Sequence, residues 1–561
     1  MTVRELVLCV DVGSTFTKGV LVDVVSGEVL GTGQHPTTLP DVVVGIAAVR
    51  DAIARALIGA AAKADRGLGE GQVADGVRVA GIGAAEVEAA EIVACSSAGG
   101  GLRLAVVGHE RLVTAEAGQR VALSAGGRVV HLSSGPLDAA AVESLRAARP
   151  DLILLAGGTD GGNADVVVHN ARRLGIARLP VPVVLACNRD AADAAAHELR
   201  RRGRTVTIAG NVLPRIGTLE PGPAREAIRQ AFLRHVIGGK GLSRKGSRIN
   251  GRSFAQLVSA PTPDAVLTGV EVLAGGRGLL MVDVGGATTD VYSVVPAEEA
   301  GERPETGAGQ GAAGDWVSAR TVEGDLGVRS GAVGVVEAAL AEGLIELEQA
   351  QELRQYALGL VEEAPAPGSS ERPVVRVPVW ESPGQVGQSG DGDGDGDGEG
   401  DRQSGSAGRQ LGSAGRQSGS PEGQSGSPER QPGSSDQQSG SLARGDQALD
   451  RQLAQLAVLI AVRRHGRPTR PGSPPRPLRR IGLVVGSGGV LRHADTKGRT
   501  DVLKPLFADH AGGWAVPEKA TAAVDVRYTL FAAGLLHDRL SPEAARRLAS
   551  AGLHPGPEHP G

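Results

Sequence analysis

The chain has 561 residues, enough for two or more domains with sizeable cores. Its formal net charge of −4 gives no strong pull toward nucleic acid or an anionic membrane surface. Aromatic residues make up only 2%, so the cores must be built from Val, Leu, Ile and Ala, which suits parallel strands covered by helices on both faces.

In chain order, residues 6–10 (LVLCV) predict a buried strand and 19–25 (GVLVDVV) a second, joined by a polar, glycine-containing bend. No charged-then-apolar leader precedes them. No apolar run approaches the ~20 residues that span a bilayer, so a soluble, cytoplasmic protein is expected. A helix is predicted over 41–63. From about 95 to 210 strand-like runs at 104–107, 128–132, 151–155, 181–186 and 204–208 alternate with Ala/Arg-rich helical segments at about 114–125, 137–148, 163–174 and 190–202. This rhythm predicts βαβ units and a mostly parallel sheet, a self-contained module inserted after the first hairpin. Helices at about 222–237 and 263–275 lead to a strand at 278–282, and 332–360 reads as an amphipathic, core-facing helix.

From about 364 to 446 the composition collapses to Gly, Ser, Gln, Asp, Pro and Arg, with imperfect repeats such as GRQSGS. Such a segment buries too little apolar surface to offset its ordering entropy and reads as a disordered linker. Its DGDGDGDGEG run (391–400) lacks the spaced ligands, closing Glu and flanking helices of an EF-hand loop. A helix at 447–464, a strand at 481–485 and helices near 517–535 and 542–551 complete the expected elements. Cys9, Cys95 and Cys187 form no CxxC pair and read as small apolar residues; no HxH or HxxxH spacing occurs among the 12 histidines.

Two stretches nearly repeat one another: LCVDVGSTFTKGV (8–20) and MVDVGGATTDVYSV (281–294). Each is an apolar run, an Asp-Val-Gly turn rich in small and hydroxyl residues, and a second apolar run. Glycine lets backbone N–H groups approach an anion closely, hydroxyls add donors, and an Asp at the strand end suits Mg²⁺. Aligning Asp11 with Asp283 pairs Gly13 with Gly285, Ser14 with Gly286 and Thr17 with Thr289. The duplication predicts two half-domains that face each other with a triphosphate tail and its metal between them. The first repeat continues into Lys18, suited to phosphate. The second continues into Asp290, suited to a metal, a water or a helix N-terminus. A third piece, the strand ending in GSGGVL (486–491), would let a flat adenosine approach the backbone.

These three pieces, in this order, resemble the actin, sugar kinase and heat-shock chaperone ATPase superfamily over about 1–30, 278–296 and 481–492. The resemblance implies an α/β fold: duplicated actin-like (RNase-H-like) ATPase halves around a nucleotide cleft, with an inserted α/β module and a long disordered linker. Further stretches sharpen it. CSSAGGGLRLAVVGHE (95–110), LLAGGTDGGN (154–163), VPVVLACN (181–188), VDVGGATTDVYSV (282–294) and RTVEGDLGVR (320–329) together look like the GlmL/MutL family, reactivating ATPases associated with adenosylcobalamin-dependent glutamate mutase and related aminomutases. On this view 1–94 begin the first ATPase half, 95–210 are the inserted module, and 211–363 carry the second phosphate hairpin. Residues 364–446 are the linker, and 447–561 hold the adenosine turn.

The expected site follows. Asp11 and Asp283 would hold Mg²⁺ and position the catalytic water. Gly13, Ser14, Thr15, Thr17, Lys18, Gly285, Gly286, Thr288 and Thr289 would cradle the phosphates of ATP. Gly486, Ser487, Gly488 and Gly489 would meet the nucleoside. Thr159, Asp160 and Asn163, at a strand end of the inserted module, would serve partner contact or a second metal, unless the loop simply turns. The implied partner is an adenosylcobalamin-dependent mutase, with no nucleic acid and no membrane; a homo-oligomer is compatible with the sequence. Rival readings are a small-molecule kinase of the same fold, with Asp290 or Glu323 as its acid or base, and a non-catalytic nucleotide-binding scaffold. An electron-transferring activator would need clustered cysteines, which this chain lacks.

Overall fold

The structure, a computed structural model, describes residues 4–64, 82–98, 101–110, 114–215, 218–297, 316–362, 374–376, 435–467, 475–510 and 516–556. The chain opens with β1 (Leu6–Val12) and β2 (Phe16–Asp23), an antiparallel hairpin, extended by β3 (Glu28–Pro36). After the helix Val42–Ala64, β4 (Glu91–Ser96) pairs in parallel with the other edge of β1. Then comes the inserted module: β5 (Leu102–Gly108), β6 (Gly127–Ser134), β7 (Leu152–Gly157), β8 (Val183–Cys187) and β9 (Val206–Ile208). All five are parallel, in the order β6-β5-β7-β8-β9. The chain rejoins the first sheet at β10 (Val258–Pro261), beside β4.

The second half repeats the plan. β11 (Leu279–Val284), β12 (Thr289–Pro296) and β13 (Trp316–Glu323) run antiparallel. The short β14 (Val374–Arg376) pairs with β3 of the first sheet. β15 (Leu483–Ser487) lies parallel to β11, β16 (Thr521–Asp525) parallel to β15, and β17 (Leu553–Pro555) closes the edge. Counted in order of formation, both sheets read third-second-first-fourth-fifth: β3-β2-β1-β4-β10 and β13-β12-β11-β15-β16. This is the duplicated RNase-H-like arrangement of an actin-like fold, and the inserted module interrupts the first copy between its fourth and fifth strands.

The first and fourth strands are mostly apolar up to their polar C-terminal ends because both faces of each sheet are covered. Outward, the first sheet packs on the helix Val42–Ala64 through Leu8, Val10, Leu21, Ile46, Val49 and Ile53. The second packs on the helices Ala332–Ala341, Leu347–Glu362 and Ser435–Gly466. Inward, Val7, Cys9 and Val20 share one core with Met281, Tyr292 and Val485, filled by the helices Thr262–Ala274 and Thr529–Leu536. Those two helices cross at a pair of glycines. A Cβ at Gly269 would lie 1.9 Å from the Leu530 carbonyl oxygen, and one at Gly534 would lie 1.8 Å from that of Ala265. Only the absence of side chains permits that approach.

Several elements depart from expectation. β3, β4, β10 and β13 go beyond the predicted elements, and the module's sheet begins at β5 (Leu102), because Cys95 and Ser96 belong to β4. The segment expected to be helical over 517–535 holds β16 before its helix. The helix expected over 332–360 is broken in two at 342–346. Most of the low-complexity run 364–446, including 391–400, lies outside the described residues; within it stand β14 and the start of the helix Ser435–Gly466. No helix among the described residues is long and apolar enough to cross a membrane.

Candidate functional site

The duplication holds residue for residue at the cleft. Asp11, near the end of β1, pairs in register with Lys18 on β2 and Cys95 on β4. Asp283, at the same place on β11, pairs with Asp290 on β12 and Ser487 on β15. The turns between are built alike. The Gly13 N–H donates to the Phe16 carbonyl at 3.0 Å, and the Gly285 N–H to that of Thr288 at 2.9 Å. In each, a Cβ on the glycine would stand 2.8 Å from that same oxygen, so a side chain would open the turn. Ser14 and Thr15 lie exposed at the first tip, Gly286 at the second, with Thr288 partly exposed beside it.

The first turn is braced by Thr37, whose Oγ1 donates to the Gly13 carbonyl and whose N–H donates to that of Thr15, both at 2.8 Å; the second is braced by a later stretch of its own half. Gly285 and Gly286 carbonyls accept from the N–H groups of Val328 and Arg329 at 3.0 and 2.8 Å. Arg329 is itself held by Asp450 of the helix Ser435–Gly466, at 2.8 and 3.0 Å. The RTVEGDLGVR stretch thus folds against the back of the turn and belongs to it.

Asp11 is buried. Its Oδ1 accepts from Thr262 Oγ1 at 2.6 Å and faces the Cys95 thiol at 3.7 Å; its Oδ2 is 3.8 Å from Lys18 Nζ. Burial works against the charge on Lys18, yet Tyr528, Asp11 and Asp283 around it hold its ammonium above the ordinary lysine range. The Asp283 carboxyl is pushed up to about 6, chiefly by burial, with Asp290 and Asp11 adding to the rise and Lys18 and Ser487 opposing it. Lys18 therefore stands in the field of both aspartates, one from each half.

The third turn closes against the second. Gly488 has φ +105, and a Cβ there would lie 2.1 Å from the Val284 carbonyl oxygen, next to Asp283. Gly486 packs under Leu491, whereas Gly489 faces open space. From the short helix that follows, Arg492 reaches Gln34 Oε1 on β3 at 3.1 Å. Arg492 also lies over the Tyr528 ring, 4.8 Å from its centroid, while Lys18 Nζ lies 3.7 Å from it. Tyr528 sits in the left-handed region at φ 56, ψ 44, a strained place for an aromatic residue.

Two expected residues fall elsewhere. Thr17 and Thr289 are fully buried on the opposite face of their strands. Thr17 Oγ1 meets Thr37 Oγ1 at 3.3 Å, and Thr289 Oγ1 donates to the Leu326 carbonyl at 2.5 Å. Side chains alternate along a strand, so Lys18 and Thr17 cannot share a face. Asp290 is spoken for by Arg320, whose Nε donates to its Oδ1 at 2.9 Å. In the inserted module, Asp160 Oδ1 accepts from the Arg189 N–H and Asn211 Nδ2, both at 2.9 Å, and Asn163 Oδ1 accepts from the Asp165 N–H at 2.9 Å where the next helix begins. Those bonds tie one oxygen each of Asp160 and Asn163 into the loop's own fold. Thr262, Tyr528 and Arg492 join the cleft unannounced by any motif in the sequence.

Among the described residues no group of three or more His, Cys, Asp and Glu side chains gathers as a metal cage. What the cleft offers is two carboxylates, one ammonium and two glycine turns with exposed tips. That donor set fits a polyphosphate with Mg²⁺, which takes one or two carboxylates and completes its shell with phosphate oxygens and water.

The family model described as MutL protein matches residues 7–373 and 437–553. The gap between the two matched stretches falls inside the low-complexity run. A curated relative, Protein MutL of Clostridium tetanomorphum, is 36% identical over 339 residues, 59% of this chain, and the chain covers 66% of that relative's length. Among solved structures, a ligand-bound xylulose kinase from Lactobacillus acidophilus is 10% identical, with 99% of this chain and 93% of that chain covered, at a TM-score of 0.27. A nucleotide-free acetone carboxylase is 14% identical, with 58% and 49% covered, at a TM-score of 0.23. Likenesses at these TM-scores carry no weight beside the strand order itself.

Proposed function

The chain belongs to the MutL protein family, and on that premise we propose that it is a chaperone-like ATPase that reactivates an adenosylcobalamin-dependent mutase, glutamate mutase or a related aminomutase, by ATP-driven release of inactive cobalamin. The observation that carries the ATPase part is the convergence of two like hairpins, one from each half, on Lys18. The mutase and its cobalamin come from the family resemblance of the motifs.

Hydrolysis joins water to the terminal phosphorus and breaks its bond to the bridging oxygen, leaving ADP and phosphate. Negative charge must be neutralised on the transferring oxygens and the water held in line. Lys18 would neutralise phosphate charge from the first half, and the turn N–H groups at Ser14, Thr15 and Gly286 would orient the oxygens. Mg²⁺, bound through Asp11 and Asp283, would supply the remaining neutralisation. Thr262 fixes the rotamer of Asp11, so that carboxylate is in place before substrate arrives. The Asp283 carboxylate accepts a hydrogen bond from the attacking water in its ionised form.

Because the ligating groups come from both halves, nucleotide would favour the closed cleft. A mutase that binds the open and closed forms unequally would then be driven between two affinities by turnover. The first test is ATP turnover by the full chain, with Asp283→Ala as the control. Wild-type turnover lost in D283A supports the reading; turnover unchanged in D283A moves the chemistry elsewhere.

A further inference from the structure

The turn Leu123–Gly127 joins the inserted module's helix Thr114–Ser124 to β6, and it sits between the supports of both cleft aspartates. On one side is Arg320 of β13. Its Nε and Nη2 donate to Asp290 Oδ1 at 2.9 and 2.5 Å, while its Nη1 donates to the carbonyls of Leu123 and Gly127 at 3.1 and 3.3 Å. Asp290 is the register partner of Asp283. On the other side is Gly126, in the left-handed region at φ +76. A Cβ there would lie 2.9 Å from the Asp264 nitrogen and 3.0 Å from Pro261 Cβ. Between those two residues is Thr262, whose hydroxyl holds Asp11.

The chemistry at Arg320 is specific. The last carbonyls of a helix have no partner within it and carry the negative end of its dipole. The helix Thr114–Ser124 has no basic residue of its own in its last turn. Arg320 supplies that cation from the second ATPase half and, with the same planar group, neutralises Asp290. The Arg320 side chain is 4% exposed, so these charge-assisted bonds are made out of water. One rigid fork cannot keep both sets of bonds if the second hairpin shifts relative to the module.

We propose that Arg320 is a positioning residue that ties Asp290, and through it the second phosphate turn, to the orientation of the inserted module, so that the module turns with the nucleotide state of the cleft. This rests on the nucleotide reading above and deepens it: the module becomes the part of the chain that carries the state of the cleft outward to a partner. A static role for Arg320, as a staple between two domains, would leave the module indifferent to nucleotide.

The test is hydrogen exchange on the full chain, comparing the amides of 114–134 without nucleotide, with Mg·ADP and with Mg·ATP, in wild type and in Arg320→Lys. Lysine keeps a cation on Asp290 and cannot span the two carbonyls. The expected result is a nucleotide-dependent change of about 5-fold or more in exchange at 114–134 of the wild type, matching a coupling of ordinary size. In R320K that change collapses while ATP still binds. If the wild type turns over ATP with no change at 114–134, or if R320K transmits the full change, the proposal is overturned and the nucleotide reading stands. If the wild type binds no ATP at all, the nucleotide reading falls and takes this one with it. Should R320K fail to fold, the wild-type arm decides alone.

Discussion

Lys18 of the first half lies 3.7 Å from the ring centroid of Tyr528 in the second, and Arg492 covers the same ring at 4.8 Å. The ring is therefore stacked on two cations, and the contact with Lys18 bridges the cleft. A buried cation–π contact is worth about 2 kcal/mol. Tyr528→Phe keeps the ring and is expected to change the KM for ATP by less than about threefold. Tyr528→Ala releases Lys18 and is expected to raise KM by up to about 30-fold, each 1.4 kcal/mol being a factor of ten. Steady-state ATPase assays of both variants check this; equal effects of Phe and Ala would assign the role to the hydroxyl instead.

Asp283 gives a pH signature. Its folded pKa, about 6, lies above the 3.8 of the free carboxyl. Between those values the folded chain binds more protons than the unfolded one, so this residue's contribution to stability falls as pH rises through that window. The cost, up to about 3 kcal/mol, is fully present above it. Asp283→Asn never ionises, so it is expected to melt above wild type at pH 8 and level with it at pH 4. Turnover should run the opposite way, staying low in D283N at both pH values because the amide carries no charge for metal or water. Thermal melts of the pair at both pH values test the sign; a difference independent of pH would refute it.

Gly488 and Gly489 are adjacent and predicted to behave differently. Alanine at 488 needs a left-handed backbone and a Cβ 2.1 Å from the Val284 oxygen, whereas alanine at 489 meets nothing within 4 Å. Gly488→Ala is expected to cost about 1–3 kcal/mol or more and to weaken nucleotide binding, because Val284 adjoins Asp283. Gly489→Ala, inside a helix, is expected to stay within about 0.5 kcal/mol of wild type. Melting temperature and nucleotide affinity of the two variants decide it.

The crossing of Thr262–Ala274 over Thr529–Leu536 leaves no room for a methyl group at either glycine. Gly269→Ala or Gly534→Ala must push the helices apart, at about 1–3 kcal/mol or more for overpacking. Since Thr262 heads the first of these helices and Tyr528 precedes the second, ATPase activity should fall with stability. Variants that melt like wild type would mean that the crossing relaxes freely.

Much of this was legible in the sequence. The doubled Asp-Val-Gly runs placed Asp11 and Asp283 together, and the alternation of strand-like and helical runs gave the inserted module. The losses have physical causes. β16 reads TAAVD, alanine-rich and short, and was absorbed into a helix by its neighbours; with it went Tyr528. Thr17 and Thr289 were grouped with phosphate ligands by residue type, although the two-residue period of a strand turns them away from Lys18 and toward the core. β4 is a short internal strand and β10 a four-residue edge strand, and only the assembled sheet identifies them. Arg320, between Asp290 and the inserted module, comes from the neighbouring strand β13, and no local pattern announces its reach to the carbonyls of Leu123 and Gly127.

The most direct test of the central claim is release of a blocked cofactor. Glutamate mutase would be loaded with cyanocobalamin, which inactivates it and absorbs distinctively, then mixed with this protein and Mg·ATP, with Asp283→Ala alongside. The account predicts ATP-dependent release of the cobalamin by the wild type and none by D283A. Steady ATP turnover by the wild type in the presence of its matched mutase, with the cobalamin still bound, would contradict it.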